Sequence, residues 1–233
     1  MKSKLIILLL SSLSFIFASD YDNKNILSSA YNSANISYSE VFGDREGSGT
    51  TFSLSYKPTP INLIFNYSST DADVDEILGL SVSGVDTESD LFQLGFLIEL
   101  NDNSHLIPFI STGSNDYNIL GYGTEVDATT LGFLYRALAG ENTVFKFGLA
   151  FVESDDFSTS SETRTLINNA LSNLDISPLS DAEFESVENQ IEIDNKVFSL
   201  GLEYHVTENM IIDYGLKTDF DSTSLSFGIG LNY

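Results

Sequence analysis

The sequence predicts an all-β chain that folds as a closed, antiparallel, up-and-down transmembrane barrel of ten strands. Ten segments alternate apolar residues with small or polar ones, so each segment has one apolar face. The connections between these segments alternate between short and long. After the first 18 residues no apolar run is long enough for a membrane helix. A span without helices must be a closed barrel, because lipid offers no partner to an unpaired backbone.

The first 18 residues are predicted to be a secretory signal peptide. Lys2 and Lys4 precede an apolar stretch over residues 5–17, and small residues, Ala18 and Ser19, follow it. The chain contains no cysteine, which excludes a lipid-modified cysteine anchor and disulfides. The predicted division is a signal peptide over 1–18, a short periplasmic N-terminal segment over 19–33, and a barrel domain over 34–233.

The charge balance is strongly acidic. The chain has 34 Asp and Glu against 10 Lys and Arg, a net charge of −24, which becomes −26 without Lys2 and Lys4. Because phosphate contacts require Lys and Arg, nucleic acid is excluded as a partner.

The ten predicted strands are close to the roughly 9–11 residues that a tilted strand needs to cross a bilayer. They cover residues 34–42, 50–57, 61–68, 91–100, 106–113, 130–138, 143–152, 197–206, 210–217 and 223–233. The fifth contains Pro108, which cannot donate to a β-ladder. An eight-stranded barrel is the alternative if the first or fifth segment fails.

The connections fall into two groups. Short turns are expected at 58–60, 101–104, 139–142 and 207–209, and longer loops at 43–49, 69–90, 114–129, 153–196 and 218–222. Short periplasmic turns and longer extracellular loops are typical of membrane barrels. Tyr56, Tyr135, Tyr204 and Tyr233 then lie at the periplasmic ends of strands and predict an interfacial girdle, with scattered core tyrosines of a soluble sheet as the alternative.

The last strand carries the most specific pattern. Five apolar residues alternate with small or polar ones up to the final residue: Leu225, Phe227, Ile229, Leu231 and Tyr233. Such an ending, after many similar strands, resembles the bacterial outer-membrane β-barrel proteins, especially small porin-like barrels. The resemblance implies a location in the outer membrane and contact with its lipid. It also implies periplasmic chaperones and a barrel-assembly machinery that reads the terminal aromatic residue, although Tyr replaces the usual Phe.

The inward positions carry glycines and five charges. The glycines are Gly95, Gly132, Gly148, Gly201, Gly215, Gly228 and Gly230. Their absent side chains either let a small barrel coil tightly, which is favoured, or clear space for solute. The charges form a predicted lumen network of Glu99, Arg136, Lys146, Glu203 and Asp213. The basic pair and the acidic pair are expected to compensate each other as a plug, with an ion-filtering constriction as the alternative.

Two predicted loops are acidic. Residues 71–76 alternate carboxylates like a calcium-binding loop, but glycine is missing at the sixth place and Val82 stands at the twelfth. A solvated acidic loop is therefore favoured. In 153–196, capping boxes at 159–162 and 180–183 flank Pro178 and predict a helical hairpin in the longest extracellular loop.

Enzymatic activity is not expected. The only histidines, His105 and His205, adjoin predicted periplasmic turns, the wrong end for the known barrel enzymes. No cofactor and no metal site are predicted. Two functions remain open. The first is a small porin-like barrel with at most a narrow, cation-preferring pore for small cations or solutes. The second is a non-conducting structural or surface-interaction barrel that acts through acidic extracellular loops.

Overall fold

The computed structural model describes residues 26–27, 31–77, 80–119, 122–154, 161, 164–165, 168–169, 172, 177–185 and 195–233. The predicted signal peptide lies outside these residues. Among them, no helix is long and apolar enough to cross a membrane.

The described strands form one antiparallel sheet that closes on itself. They are β1 (Ser33–Gly43), β2 (Arg45–Tyr56), β3 (Leu63–Ile77), β4 (Leu80–Phe96), β5 (Ile98–Asn101), β6 (Ser104–Ile119), β7 (Tyr122–Leu138), β8 (Thr143–Ser154), β9 (Asn195–Thr207), β10 (Met210–Thr218) and β11 (Ser222–Asn232). β4 and β5 are two parts of one barrel strand interrupted at Leu97, because both pair with β6. β1 pairs with β11 and closes the ring. The predicted ten-stranded barrel is confirmed, and the eight-stranded alternative is wrong.

The period of two separates an apolar outer face from a small, polar lumen. On β11, Leu225, Ile229 and Leu231 are exposed outward, whereas Gly228 and Gly230 are buried inside. The same alternation recurs on β2 and β4, where Phe52 and Phe92 are exposed on the outside. A continuous apolar belt on the outside is the surface that lipid, rather than water, would cover.

Three predicted loops are largely strand. β1 and β2 are separated by Asp44 alone, β3 and β4 extend into 69–90, and β6 and β7 extend into 114–129. The alternation continues in these extensions, but carboxylates replace the outward apolar residues. We call this outward surface the acidic wall: Asp71, Asp73, Asp75, Asp86, Glu88, Asp90, Asp116, Glu125 and Asp127. The predicted strands are shorter than the observed ones because they are assigned from apolar residues, and the outer face changes from apolar to acidic.

The acidic segment 71–76 is therefore part of β3 and not a loop. Asp71 lies opposite Glu88 and Asp73 lies opposite Asp86 on β4. A calcium-binding loop must curl its alternate oxygens around one ion, which an extended strand does not do.

Part of the predicted helical hairpin lies within the described residues. Residues 161, 164–165, 168–169, 172 and 181–185 are helical. The Asn168 side chain bonds the backbone of Leu179 in both directions, at 3.0 and 2.7 Å. Ser180 and Glu183 form the reciprocal bonds of a capping box, which lower the pKa of Glu183. Residues 159, 160 and 162 of the first predicted box and much of both predicted helices lie outside the described residues.

Most of the inward glycines make room for neighbouring atoms rather than for solute. A Cβ on Gly95 would lie 2.8 Å from Ile107 Cγ2, and one on Gly132 would lie 2.7 Å from Phe109 Cζ. A Cβ on Gly201 would lie 2.9 Å from Lys146 Cε. These distances support the interpretation that glycine permits close packing in a small barrel.

We expect Gly113→Ala to destabilise the barrel by about 1–3 kcal/mol, the usual cost of overpacking. A Cβ at Gly113 would collide with the Asp90 carbonyl oxygen and lie 2.9 Å from Leu91 Cα. The urea midpoint of unfolding in lipid vesicles would measure the change. Gly140→Ala is the matched control, because a Cβ there meets nothing closer than Thr143 at 3.9 Å. Equal midpoints for the two variants would contradict the packing role of Gly113.

Candidate functional site in the barrel lumen

Four charged side chains from four neighbouring strands meet inside the barrel. Arg136 on β7 lies opposite Lys146 on β8, and Glu203 on β9 lies opposite Asp213 on β10. All four occupy inward positions because they share the parity of the buried Gly148 and the lumen-facing Gly201. We call these four residues the charged layer.

The charged layer is linked by ion pairs between opposite charges. Arg136 Nη2 donates to both carboxylate oxygens of Glu203, at 2.8 and 2.9 Å, and both side chains are almost completely buried. Lys146 Nζ donates to Asp213 and lies 3.8 Å from Glu203 Oε2. Two positive and two negative charges therefore balance within one layer. Burial on this scale is tolerable only because each charge has a partner.

Glycine allows Lys146 to reach past a strand. Lys146 on β8 pairs in register with Gly201 on β9, yet its ion pair is with Asp213 on β10. Its stem passes beside Gly201, where an added Cβ would lie 2.9 Å from Lys146 Cε. A side chain at residue 201 would therefore obstruct the contact between Lys146 and Asp213.

Glu99, the fifth predicted member, does not join the layer. It lies on β5, where all four residues are exposed, and no ion pair among the described residues includes it. Glu99 pairs with His105, which pairs in turn with Arg136, so it lies level with Arg136 in register but takes no part in the ion pairs. The predicted closing-strand residues Leu225, Phe227, Ile229, Leu231 and Tyr233 lie on the opposite, outward face.

Three residues that the predicted lumen network does not include, His205, His105 and Tyr31, complete the layer. His205 Nε2 lies 2.9 Å from Glu203 Oε1, and the imidazole is 2% exposed. The Tyr31 hydroxyl lies 2.7 Å from His105 Nδ1. The Arg136 guanidinium lies over the Tyr31 ring, 4.9 Å from its centroid, in cation–π contact. The alternation of inward and outward residues indicates that both histidines face inward, because His205 is two residues from Glu203 and His105 pairs with Arg136.

Tyr31 belongs to an N-terminal plug, which we define as Ile26, Leu27 and Tyr31. Tyr31 packs with Ile64, Leu97 and Ile107, and all four side chains are buried. Ile26 and Leu27 pack against Val144, which is completely buried. Described residues of the predicted periplasmic segment 19–33 thus lie inside the barrel. Burial raises the pKa of Tyr31 to about 12 against the effect of Arg136, so its hydroxyl keeps its proton.

A cavity of about 250 Å³ lies beside the charged layer and Tyr31. We call it the chamber. It is lined by small polar side chains of β1, β2 and β11, with Ile107 and Leu134 contributing apolar surface. Within the described part of the chain, no group of His, Asp and Glu could hold a metal ion.

The chain matches no family model and no curated protein sequence. Solved structures similar to it include the KdgM porin, with 9% identity and a TM-score of 0.42 over 85% of this chain and 99% of that one. The NanC porin has 8% identity and a TM-score of 0.44 over 86% and 98%. The β domain of the Bordetella autotransporter Brka has 9% identity and a TM-score of 0.48 over 86% and 98%. The barrel itself is established by the strand pairing of this chain.

Replacing Arg136 and Lys146 by Gln together should lower the free energy of unfolding by about 3–5 kcal/mol, because two buried carboxylates lose their partners. Neutralising all four residues, with Glu203→Gln and Asp213→Asn added, should cost less than the sum of the two half-neutralised variants. Urea unfolding in vesicles measures each variant. Strict additivity would mean that the four side chains do not act as one network.

Proposed function

We propose that the chain is an outer-membrane barrel whose lumen is closed to ions in its resting state. The observation that supports this most directly is the contact between the N-terminal plug and the charged layer. Tyr31 lies against Arg136, and Arg136 is bound to Glu203. These buried side chains join the lumen walls on β6, β7 and β9. An ion crossing this layer would have to separate ion pairs in a poorly hydrated space.

The outer surface supports the membrane location. Exposed aromatic and aliphatic side chains occur on strands around the whole barrel, including Ile36, Phe65, Leu131, Phe151 and Leu200. Soluble monomers rarely expose contiguous apolar patches larger than a few hundred Å². The girdle proposal is consistent with Tyr56 and Tyr233, which are exposed at the turn-side ends of β2 and β11.

The proposed partners follow from this location. They are outer-membrane lipid around the apolar belt, periplasmic chaperones before insertion, and the barrel-assembly machinery at the closing strand. The acidic wall extends the barrel beyond the apolar belt and offers a surface for interactions outside the membrane. The proposal includes no catalytic activity and no cofactor.

The second candidate function is a narrow, cation-preferring pore. It is favoured by the polar lining of the lumen beyond the charged layer, where Ser37, Ser53 and Thr51 lie on adjacent strands. In this case the plug would leave the lumen during conduction. Steady cation-selective current through the unaltered protein would overturn the non-conducting proposal in favour of this one.

Purified wild-type protein in planar bilayers should show no channel steps, whereas Tyr31→Ala should show them, because the largest plug side chain is lost. Tyr31→Phe should stay closed, since the ring that packs under Arg136 remains. Tyr38→Ala is the matched control, because Tyr38 lies on the outer face of β1. A difference in electrophoretic mobility between heated and unheated samples verifies that each variant is folded. A folded Tyr31→Ala barrel that does not conduct would contradict closure by the plug.

Tyr233→Asp should reduce the amount of protein in the outer-membrane fraction, while Tyr233→Phe should keep it near the wild-type level. The Tyr233 side chain is 69% exposed and its hydroxyl donates to the Ser55 carbonyl oxygen at 3.0 Å. A charge there would face lipid or the assembly machinery, whereas Phe loses one hydrogen bond, about 0.5–1.5 kcal/mol. Normal assembly of the Asp variant would remove the support for recognition of the terminal residue.

A further inference from the structure

The chamber combines a polar wall with an apolar patch. Five of its lining side chains are hydroxyls or amides that make no side-chain hydrogen bond to any other described residue: Ser37, Ser53, Asn66, Gln93 and Ser226. Asn66 and Gln93 lie directly opposite each other on β3 and β4. Polar groups that face a cavity without a protein partner remain free to bond a solute or water.

The apolar patch is formed by packed side chains around Tyr31. Ile64, Ile107 and Leu134 line the chamber, and all three pack in the same cluster as the Tyr31 ring. A ligand that fits both surfaces must present hydrogen-bonding groups along its edges and C–H groups on its faces. Polyhydroxylated carbon skeletons have this distribution.

The charges around the chamber exclude charged ligands. Arg136, Lys146, Glu203 and Asp213 all line it, but they are already bound to one another and sum to zero. An anion or a cation would lose its hydration and would compete with these ion pairs, which is costly in a buried site. An uncharged ligand avoids both costs.

The volume indicates the size of a ligand that fills the chamber. About 250 Å³ is below the roughly 300–1,000 Å³ of sites for drug-sized molecules. It corresponds to the liquid volume of about eight water molecules. A monosaccharide or a sugar alcohol is of this size and would fill the chamber.

We propose that the chamber binds one small, uncharged polyhydroxylated solute of monosaccharide size. The amides of Asn66 and Gln93 bond its hydroxyl groups, and the half-buried Leu134 contacts its C–H face. This inference does not depend on conduction, because a closed barrel can bind a solute in the lumen.

The test is equilibrium dialysis of the folded, full-length barrel in detergent against radiolabelled glucose and sorbitol. Both should bind saturably with one site per chain. Gluconate and glucosamine have nearly the same size but carry a charge, and each should bind at least tenfold more weakly. Dialysis measures occupancy directly and so avoids the general stabilisation of proteins by sugars.

The combined variant Asn66→Leu, Gln93→Leu should lose at least tenfold in affinity for glucose and sorbitol, because it removes both amides and keeps side chains of similar size. Asn118→Leu makes the same kind of change on the exposed outer face of β6 and should bind like wild type. If neither uncharged probe binds saturably to the wild type, the proposal is overturned and the chamber holds only water. Equal binding of the charged probes, or unchanged binding by the folded double variant, would also overturn it. Conductance of the wild-type barrel bears on the proposed function alone.

Discussion

Closure of the sheet by β1 and β11 is the constraint on which the rest of the structure depends. The two strands pair in continuous register from Ser33 and Asn232 to Gly43 and Ser222. Without this pairing, both would present rows of free backbone N–H and C=O groups to lipid, which cannot bond them. The Tyr233 N–H donates to the Asn32 carbonyl oxygen at 3.0 Å and continues the seam past the last strand residue. Closure also positions the residues that precede β1, because Tyr31 is two residues from the β1–β11 pairing and packs inside the barrel.

Once the ring is closed, four of the inward charges meet in one layer as compensating pairs. The basic hairpin of β7 and β8 would repel itself, as would the acidic hairpin of β9 and β10. Placing the two hairpins side by side converts two unfavourable pairs into a neutral layer. The small residues are part of the same solution, since Gly201 leaves the path through which Lys146 reaches Asp213. Plug, glycines and ion pairs are thus one packing arrangement, in which Arg136 contacts Tyr31 on one side and Glu203 on the other.

The sequence alone predicts the features that depend on the alternation of apolar and polar residues. All ten strands, the inward position of the four central charges and the outward position of Leu225 to Tyr233 follow from a period of two. Glu99 shows the limit of this argument, because parity gives the face of a side chain but not its burial or its ion-pair partner. Tyr31 lies outside any strand, so periodicity gives no information about it, and its burial depends on contacts with residues more than thirty positions away. Alternation of apolar residues does not reveal the extensions of β3, β4, β6 and β7, because the outward residues there are acidic.

Those extensions indicate how deeply the barrel would be inserted in a membrane. Asp71, Glu88, Asp116 and Glu125 stand directly opposite one another on four adjacent strands, all facing outward. Like charges opposite each other destabilise a sheet, and the cost is smallest where water and salt screen them. In lipid the same row would require several uncompensated charges to lose their hydration. In the proposed outer-membrane location the row stays outside the apolar layer, while Phe92, Ile110 and Leu131, a few residues further along the same strands, lie within it. The change from acidic to apolar residues would then mark the edge of the membrane on these strands.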